Sequence, residues 1–150
     1  MLDIGTGLLA MVAAKDFNCN VTSIDISEEA LGKAKKEALK ENIKKINFEE
    51  EDATALSYKD NSFDVVVSYC ALHHIPLEKR KNFIHEAYRV ARQRIVIADY
   101  NEAGFPHSAG EYTIVDFNWL KKELNALNPK TEEHEWEKIK IYTCLKGGQE

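Results

Sequence analysis

Leu2-Asp3-Ile4-Gly5-Thr6-Gly7 sets a short apolar run against two glycines, and Leu8–Lys15 follows at once with helical spacing. A strand that enters a helix through glycines turns tightly, lets a ligand approach the backbone, and presents the unpaired N–H groups of a helix start. A plain strand-to-helix connection uses the same residues, so the surroundings decide. Working outward, Met1–Ile4, Val21–Ile26, Ile46–Glu50, Phe63–Tyr69 and Arg94–Tyr100 are short, apolar or β-branched, and read as strands. Glu28–Lys40 is predicted helical, with Ser27 as its N-cap and Glu28 and Glu29 at its positive end. Pro76 is predicted to open a third helix reaching about Ala91, with Phe83, Ile84, Ala87, Tyr88 and Ala91 on one face. A fourth follows the loop Asn101–Gly110 and carries Ile114, Phe117, Leu120, Leu124 and Leu127. Glu135–Leu145 alternates weakly and predicts one or two edge strands.

Strands alternating with helices define an α/β class: a doubly wound, mostly parallel sheet with helices on both faces. The run Val65-Val66-Val67 predicts burial on both faces. The 150 residues suit a single domain spanning 1–150. Lys and Arg number 20 against 25 Asp and Glu, a net charge of -5, which argues against nonspecific nucleic-acid binding. The Lys-rich stretch Lys33 to Lys45, interleaved with Glu37 and Glu41, reads as a solvated helix face. No apolar run reaches the roughly 18 residues of a membrane span, and no leader pattern is visible, so no membrane partner and a cytoplasmic location are expected. Cys19, Cys70 and Cys144 are odd in number and widely spaced, which predicts reduced thiols and no metal site.

In such sheets ligands sit at the carboxyl ends of the strands. After the second strand, Asp25 follows the glycines at about the 20-residue spacing of a carboxylate that accepts bonds from ribose hydroxyls. After the third, Asp52 could accept from an adenine amino group, although Glu49, Glu50 and Glu51 make the whole stretch acidic. After the fourth, Ser68-Tyr69-Cys70-Ala71-Leu72-His73-His74 offers two histidines as general bases or as loop packing. After the fifth, Asp99 and Tyr100 precede a loop whose His107, Glu111 and Tyr112 could line a substrate pocket.

Taken in order, these residues resemble the class I S-adenosylmethionine-dependent methyltransferases, in the small-molecule branch that includes ubiquinone and menaquinone biosynthesis enzymes. The likeness runs from Met1 to about Tyr100. It implies a Rossmann-like fold with an antiparallel hairpin, supplied by Lys130–Leu145, and S-adenosylmethionine as cofactor. It further implies that Asp3, Gly5, Thr6 and Gly7 hold the methionine part, Asp25 the ribose and Ile26 the adenine face. Asp52 and Ala53 would read the adenine edge, and Ser68 and Tyr69 would border the reacting methyl. A small-molecule acceptor is the expected partner. Its proton, where one must leave, would go to His73 or His74, with Asp99 or Tyr112 as further candidates.

The chain departs from the family at three places. Leu9 stands where a third glycine is common, Arg92-Gln93 replaces a Pro-Gly-Gly turn, and the family's cap helices before the first strand have no counterpart here. An open cleft of that kind favours a homodimer. Two other readings stay open. Gly5-x-Gly7-x-x-Ala10 also satisfies a dinucleotide fingerprint, which would make the chain a nicotinamide-dependent oxidoreductase. The departures are compatible too with a regulatory or inactive module that binds the cofactor without turnover.

Overall fold

The computed structural model describes residues 1–106, 108, 110–128 and 130–147. The chain runs β1 (Leu2–Ile4), α1 (Leu8–Asp16), β2 (Val21–Asp25), α2 (Glu28–Lys40), β3 (Ile46–Glu50), β4 (Phe63–Tyr69), α3 (Arg80–Val90), β5 (Ala91–Tyr100), α4 (Phe117–Leu127), β6 (Thr131–Trp136) and β7 (Ile139–Leu145). The strands form one sheet in the order β3-β2-β1-β4-β5-β7-β6. β3 through β5 are parallel, while β7 runs antiparallel to β5 and β6 antiparallel to β7. Strand order reverses between β1 and β4, which is where a sheet of this kind leaves a crevice at its carboxyl edge.

Right-handed crossovers put α1 and α2 on one face and α3 on the other. The larger core lies on the α3 and α4 side, where Leu2, Ile4, Ile24, Val66, Ile95, Ile97 and Tyr142 pack against Phe83, Ile84, Leu120 and Leu124. Each such fully buried side chain contributes roughly 1.5–3 kcal/mol. Ala10, Ala13 and Ala14 of α1 meet Val21 in a smaller cluster, and their short side chains bring that helix close to the sheet. Asp3 is in register with Ser23 and Val67, and Val67 with Val96, so these residues share the α1 side. Val66 is 1% exposed, but Val65, Val67 and Val96 are half-buried. Burial on both faces, expected from the valine run, is therefore full on one face of β4 and partial on the other.

Ser27 caps α2 as expected, its Oγ accepting from the Ala30 N–H at 3.2 Å. The lysines from Lys33 to Lys45 are exposed, and two of them pair with Glu29 and Glu37. β6 begins at Thr131, ahead of the expected Glu135, and three further boundaries differ for a visible reason. Pro76 is extended (φ -53, ψ 141) and precedes one 3₁₀ turn, Leu77–Lys79, so α3 proper begins at Arg80. β5 begins at Ala91, which pairs with Phe63; its exposed Arg92, Gln93 and Arg94 disguise the strand as a polar turn. Asp116 Oδ1 accepts from the N–H groups of Asn118 and Trp119 and starts α4, leaving Ile114 outside it. No helix among the described residues is long and apolar enough to cross a membrane.

Candidate functional site

A cavity of about 400 Å³ opens at the carboxyl ends of β1, β2 and β4. Gly5 and Thr6 form its floor, Asp25 and Ile26 one side, Asp52 and Ala53 a second, and Ala71, His74 and Tyr112 the side toward β5. Glycine is required at position 5, because a Cβ there would stand 2.9 Å from the Tyr69 carbonyl oxygen. Gly7 takes a left-handed φ of 82° and leads into α1, which has no side-chain cap, so its first N–H groups point outward unpaired.

Two carboxylates are aimed by their own turns. Asp25 Oδ1 accepts from the Ser27 N–H at 2.8 Å, in the turn that starts α2. Asp52 Oδ1 accepts from the Thr54 N–H at 2.9 Å and the Thr54 hydroxyl at 2.7 Å, bonds that hold its carboxyl below the usual range. In each, one oxygen is held by the turn and the other has no hydrogen-bond partner among the described residues. Asp3 is different. It is 1% exposed, its Oδ2 accepts from the Ser23 hydroxyl at 3.0 Å, and its Oδ1 has no partner. Burial pushes its carboxyl up to about 6, against the opposing pull of the Ser23 bond. An unpartnered buried carboxylate oxygen is costly, and native proteins keep few of them.

Beyond β4 the chain turns at Cys70, whose φ is 51°. The other described non-glycine residues with positive φ are Asn18, Asn42 and Asn61, a type that tolerates the conformation, so Cys70 stands apart. One 3₁₀ turn, Leu72–His74, follows. His73 is 6% exposed, and its Nδ1 lies 2.7 Å from Oδ1 of Asp99, itself fully buried. Asp99 Oδ2 accepts from the His73 N–H at 3.1 Å, and Oδ1 also accepts from the Tyr100 N–H at 2.8 Å. A bond accepted by the carboxylate requires the proton on Nδ1, and in the neutral ring the lone pair then falls on Nε2. Among the described residues, Nε2 has no hydrogen-bond partner, and the fully enclosed atoms without one are Asp3 Oδ1 and Ser68 Oγ. His74 has ring contacts at 4.1 Å with both His73 and Tyr112. Burial, then the neighbouring His73, lowers its proton affinity, with Asp99 and Asp25 opposing.

Of the residues singled out in the sequence, the cavity brings together Gly5, Thr6, Asp25, Ile26, Asp52, Ala53 and His74. Asp3, Gly7, Ser68, Tyr69 and His73 do not line it: Asp3 and Ser68 are buried in the sheet, and Tyr69 meets Gly5 through its carbonyl. Tyr112 lines the cavity and Glu111 does not, while His107 lies outside the described residues. The cysteines are unpaired thiols, and among the described residues no cluster of three His, Cys, Asp or Glu side chains is arranged for a metal. Sequence reasoning misses Cys70 and Arg80. The first carries no turn signal, and the second sits in Glu78-Lys79-Arg80-Lys81, which reads as a solvated charge run although Arg80 is 2% exposed.

A family model described as a methyltransferase domain matches residues 2–94. The 27-O-demethylrifamycin SV methyltransferase of Amycolatopsis mediterranei is 38% identical over 107 residues, 67% of this chain and 38% of its own length. The 2-methyl-6-phytyl-1,4-hydroquinone methyltransferase of Synechocystis is 37% identical over 106 residues, 68% of this chain and 32% of its own. The chain thus spans about a third of the length of these curated relatives. Among solved structures, the magnesium protoporphyrin IX methyltransferase of Synechocystis with bound SAH superposes with a TM-score of 0.78 at 20% identity, covering 97% of this chain and 73% of that one.

Proposed function

The chain belongs to the methyltransferase domain family, and on that premise we propose that it moves a methyl group from S-adenosylmethionine to a small-molecule acceptor. The observation that carries the reading is Asp3, a fully buried carboxylate with an unpartnered oxygen just ahead of a glycine turn that admits no Cβ. Such a group fits a ligand that brings a positive amino group and lies close to backbone, as the methionine portion does. Gly5, Thr6 and Gly7 would hold that portion with Asp3. The free oxygen of Asp25 would accept from the ribose hydroxyls, Ile26 would lie against the adenine face, and Asp52 with the Ala53 backbone would read the adenine edge. Ser68 and Tyr69 would stand behind the reacting end.

The bound cofactor supplies an activated methyl, so what the protein must add is alignment and exclusion of water. Where the acceptor is a hydroxyl or amine, a proton leaves it. Either histidine would take it: His74 lines the cavity, and His73, with Nδ1–H held on Asp99 and its ring against that of His74, would reach the acceptor through one water. The names of the curated relatives, a rifamycin and a hydroquinone methyltransferase, support a small acceptor. The same reading makes residues 1–150 a single domain, takes a homodimer as the assembly, and places it in the cytoplasm, where its three unpaired thiols stay reduced.

Calorimetric titration with S-adenosylhomocysteine, beside NADH and an Asp25→Ala variant, tests the cofactor. Micromolar binding of the first ligand, weakened in the variant, is expected. Binding of NADH instead, or of neither, overturns it. Turnover of at least one member of a panel of phenols, quinols and amines is expected in turn; binding with no turnover at all would reduce the chain to a cofactor-binding module.

A further inference from the structure

Arg80, the first residue of α3, has no carboxylate within ion-pair reach among the described residues yet is almost fully buried. Its guanidinium is spent on main-chain carbonyls from two separate segments. Nε donates to Ile75 at 3.0 Å and Nη2 to His73 at 3.4 Å, both in the turn after β4. Nη2 also donates to Thr113 at 2.5 Å and Nη1 to Ile114 at 3.2 Å, both in the connection between β5 and α4. A buried guanidinium is tolerated only when its donors are met, and a planar fork can meet carbonyls converging from several directions where a lysine's single ammonium cannot.

The connection needs such a fastening. Among the described residues from Pro106 to Val115, no backbone-to-backbone hydrogen bond ties the segment to the rest of the chain, and the two bonds from Arg80 are its only side-chain hydrogen bonds. Tyr112 stands one residue before Thr113, on the cavity wall, with its ring 4.1 Å from that of His74. His73 and Ile75, the other two acceptors, flank His74 in sequence. One guanidinium therefore binds the chain on both sides of the Tyr112–His74 contact.

We propose that Arg80 is a positioning residue for the methyl acceptor: by pinning Thr113 and Ile114 to the His73–Ile75 turn it sets Tyr112 against His74 and so shapes the acceptor wall. The role assigned to that wall rests on the methyl-transfer reading; the pinning itself does not. Arg80→Lys keeps the charge and loses the fork. In that variant, limited proteolysis after Glu111 or Tyr112, both exposed, is expected to quicken at least tenfold while the amides of β1, β2 and β3 exchange hydrogen as before. The NMR titration of His74 is expected to move toward that of a free imidazole as the ring of Tyr112 withdraws. Affinity for S-adenosylhomocysteine is expected to stay within about threefold. Tyr112→Ala serves as the second variant, which should reproduce the His74 shift with α3 and the sheet unaltered.

An Arg80→Lys protein whose cleavage after Glu111 or Tyr112 and whose His74 titration match the parent overturns the proposal. So does equal loss of protection throughout the sheet, which would make Arg80 a residue of general stability. So, too, does a Tyr112→Ala variant with an unchanged His74. A parent protein that binds no S-adenosylhomocysteine overturns the methyl-transfer reading instead, and the proteolysis and titration results still decide the case of Arg80.

Discussion

The two sides of the cavity are built by different means. On the β1 to β3 side, each cavity-lining group is set by residues beside it in sequence: Asp25 by Ser27, Asp52 by Thr54, Gly5 by its own lack of a side chain. On the β4 to β5 side, each group is set from far along the chain: His73 by Asp99, Tyr112 by Arg80, His74 by Tyr112. Local turns hold a fixed ligand shape, while long-range contacts can be re-formed as loops vary around a common sheet. On the proposed reading these sides are a cofactor half and an acceptor half, which should respond separately to substitution, and the following variants test that separation.

The largest effect is expected from Asp99→Asn. The near-isosteric amide no longer fixes His73 with Nδ1 protonated, and losing a positioned base costs roughly 10²–10⁴ in rate. Turnover of a hydroxyl or amine acceptor should fall by that much, while calorimetry with S-adenosylhomocysteine changes less than threefold. A large loss of cofactor affinity would break the division into halves. Gly5→Ala should do the reverse. Its Cβ would press on the Tyr69 carbonyl oxygen at 2.9 Å, a backbone atom that cannot yield cheaply. Overpacking of this kind costs about 1–3 kcal/mol, which corresponds to roughly 10–100-fold in affinity if the turn opens to relieve it. Asp25→Ala, which removes a half-exposed carboxylate, should weaken binding by roughly tenfold or somewhat more, the worth of charge-assisted bonds, and leave thermal unfolding within a few degrees of the parent.

The same difference governs how much could be read from the residues alone. Asp25, Asp52 and the glycine turn were legible because their signals are local: a strand end, a turn residue and a spacing. The five parallel strands and the cap of α2 were legible for the same reason. Arg80 was not, because its partners Thr113 and Ile114 lie more than thirty residues away and its neighbours Lys79 and Lys81 are ordinary surface lysines. The pairing of His73 with Asp99 was not, because it depends on β4 and β5 being neighbours in register, Tyr69 opposite Ala98. β6 was harder still. Thr131–Trp136 is an edge strand with a polar, exposed sequence, and only its ladder with β7 makes it a strand.

The smallest expected effect concerns Asp3, and it asks whether the cofactor half is held at a cost to stability. Burial pushes its carboxyl up to about 6 in the folded chain, against about 4 when unfolded. Between those values the folded state binds more protons than the unfolded state, so stability falls as pH rises from about 4 to about 6 and stays reduced above that. Asp3→Asn removes the charge and keeps an acceptor for Ser23. The variant should therefore be more stable than the parent at pH 7.5 by roughly 1–2 kcal/mol, taking a part of the shift at 1.36 kcal/mol per unit. Denaturant unfolding at pH 4, 5, 6 and 7.5 should show the two proteins converging at the acid end. S-adenosylhomocysteine affinity should fall in the same variant. A gain in stability paired with a loss of binding would identify the unpartnered oxygen as one kept for the ligand. Equal stability across the series would mean that Asp3 is satisfied within the fold, and the strongest argument for the cofactor half would then rest on Asp25 and Gly5.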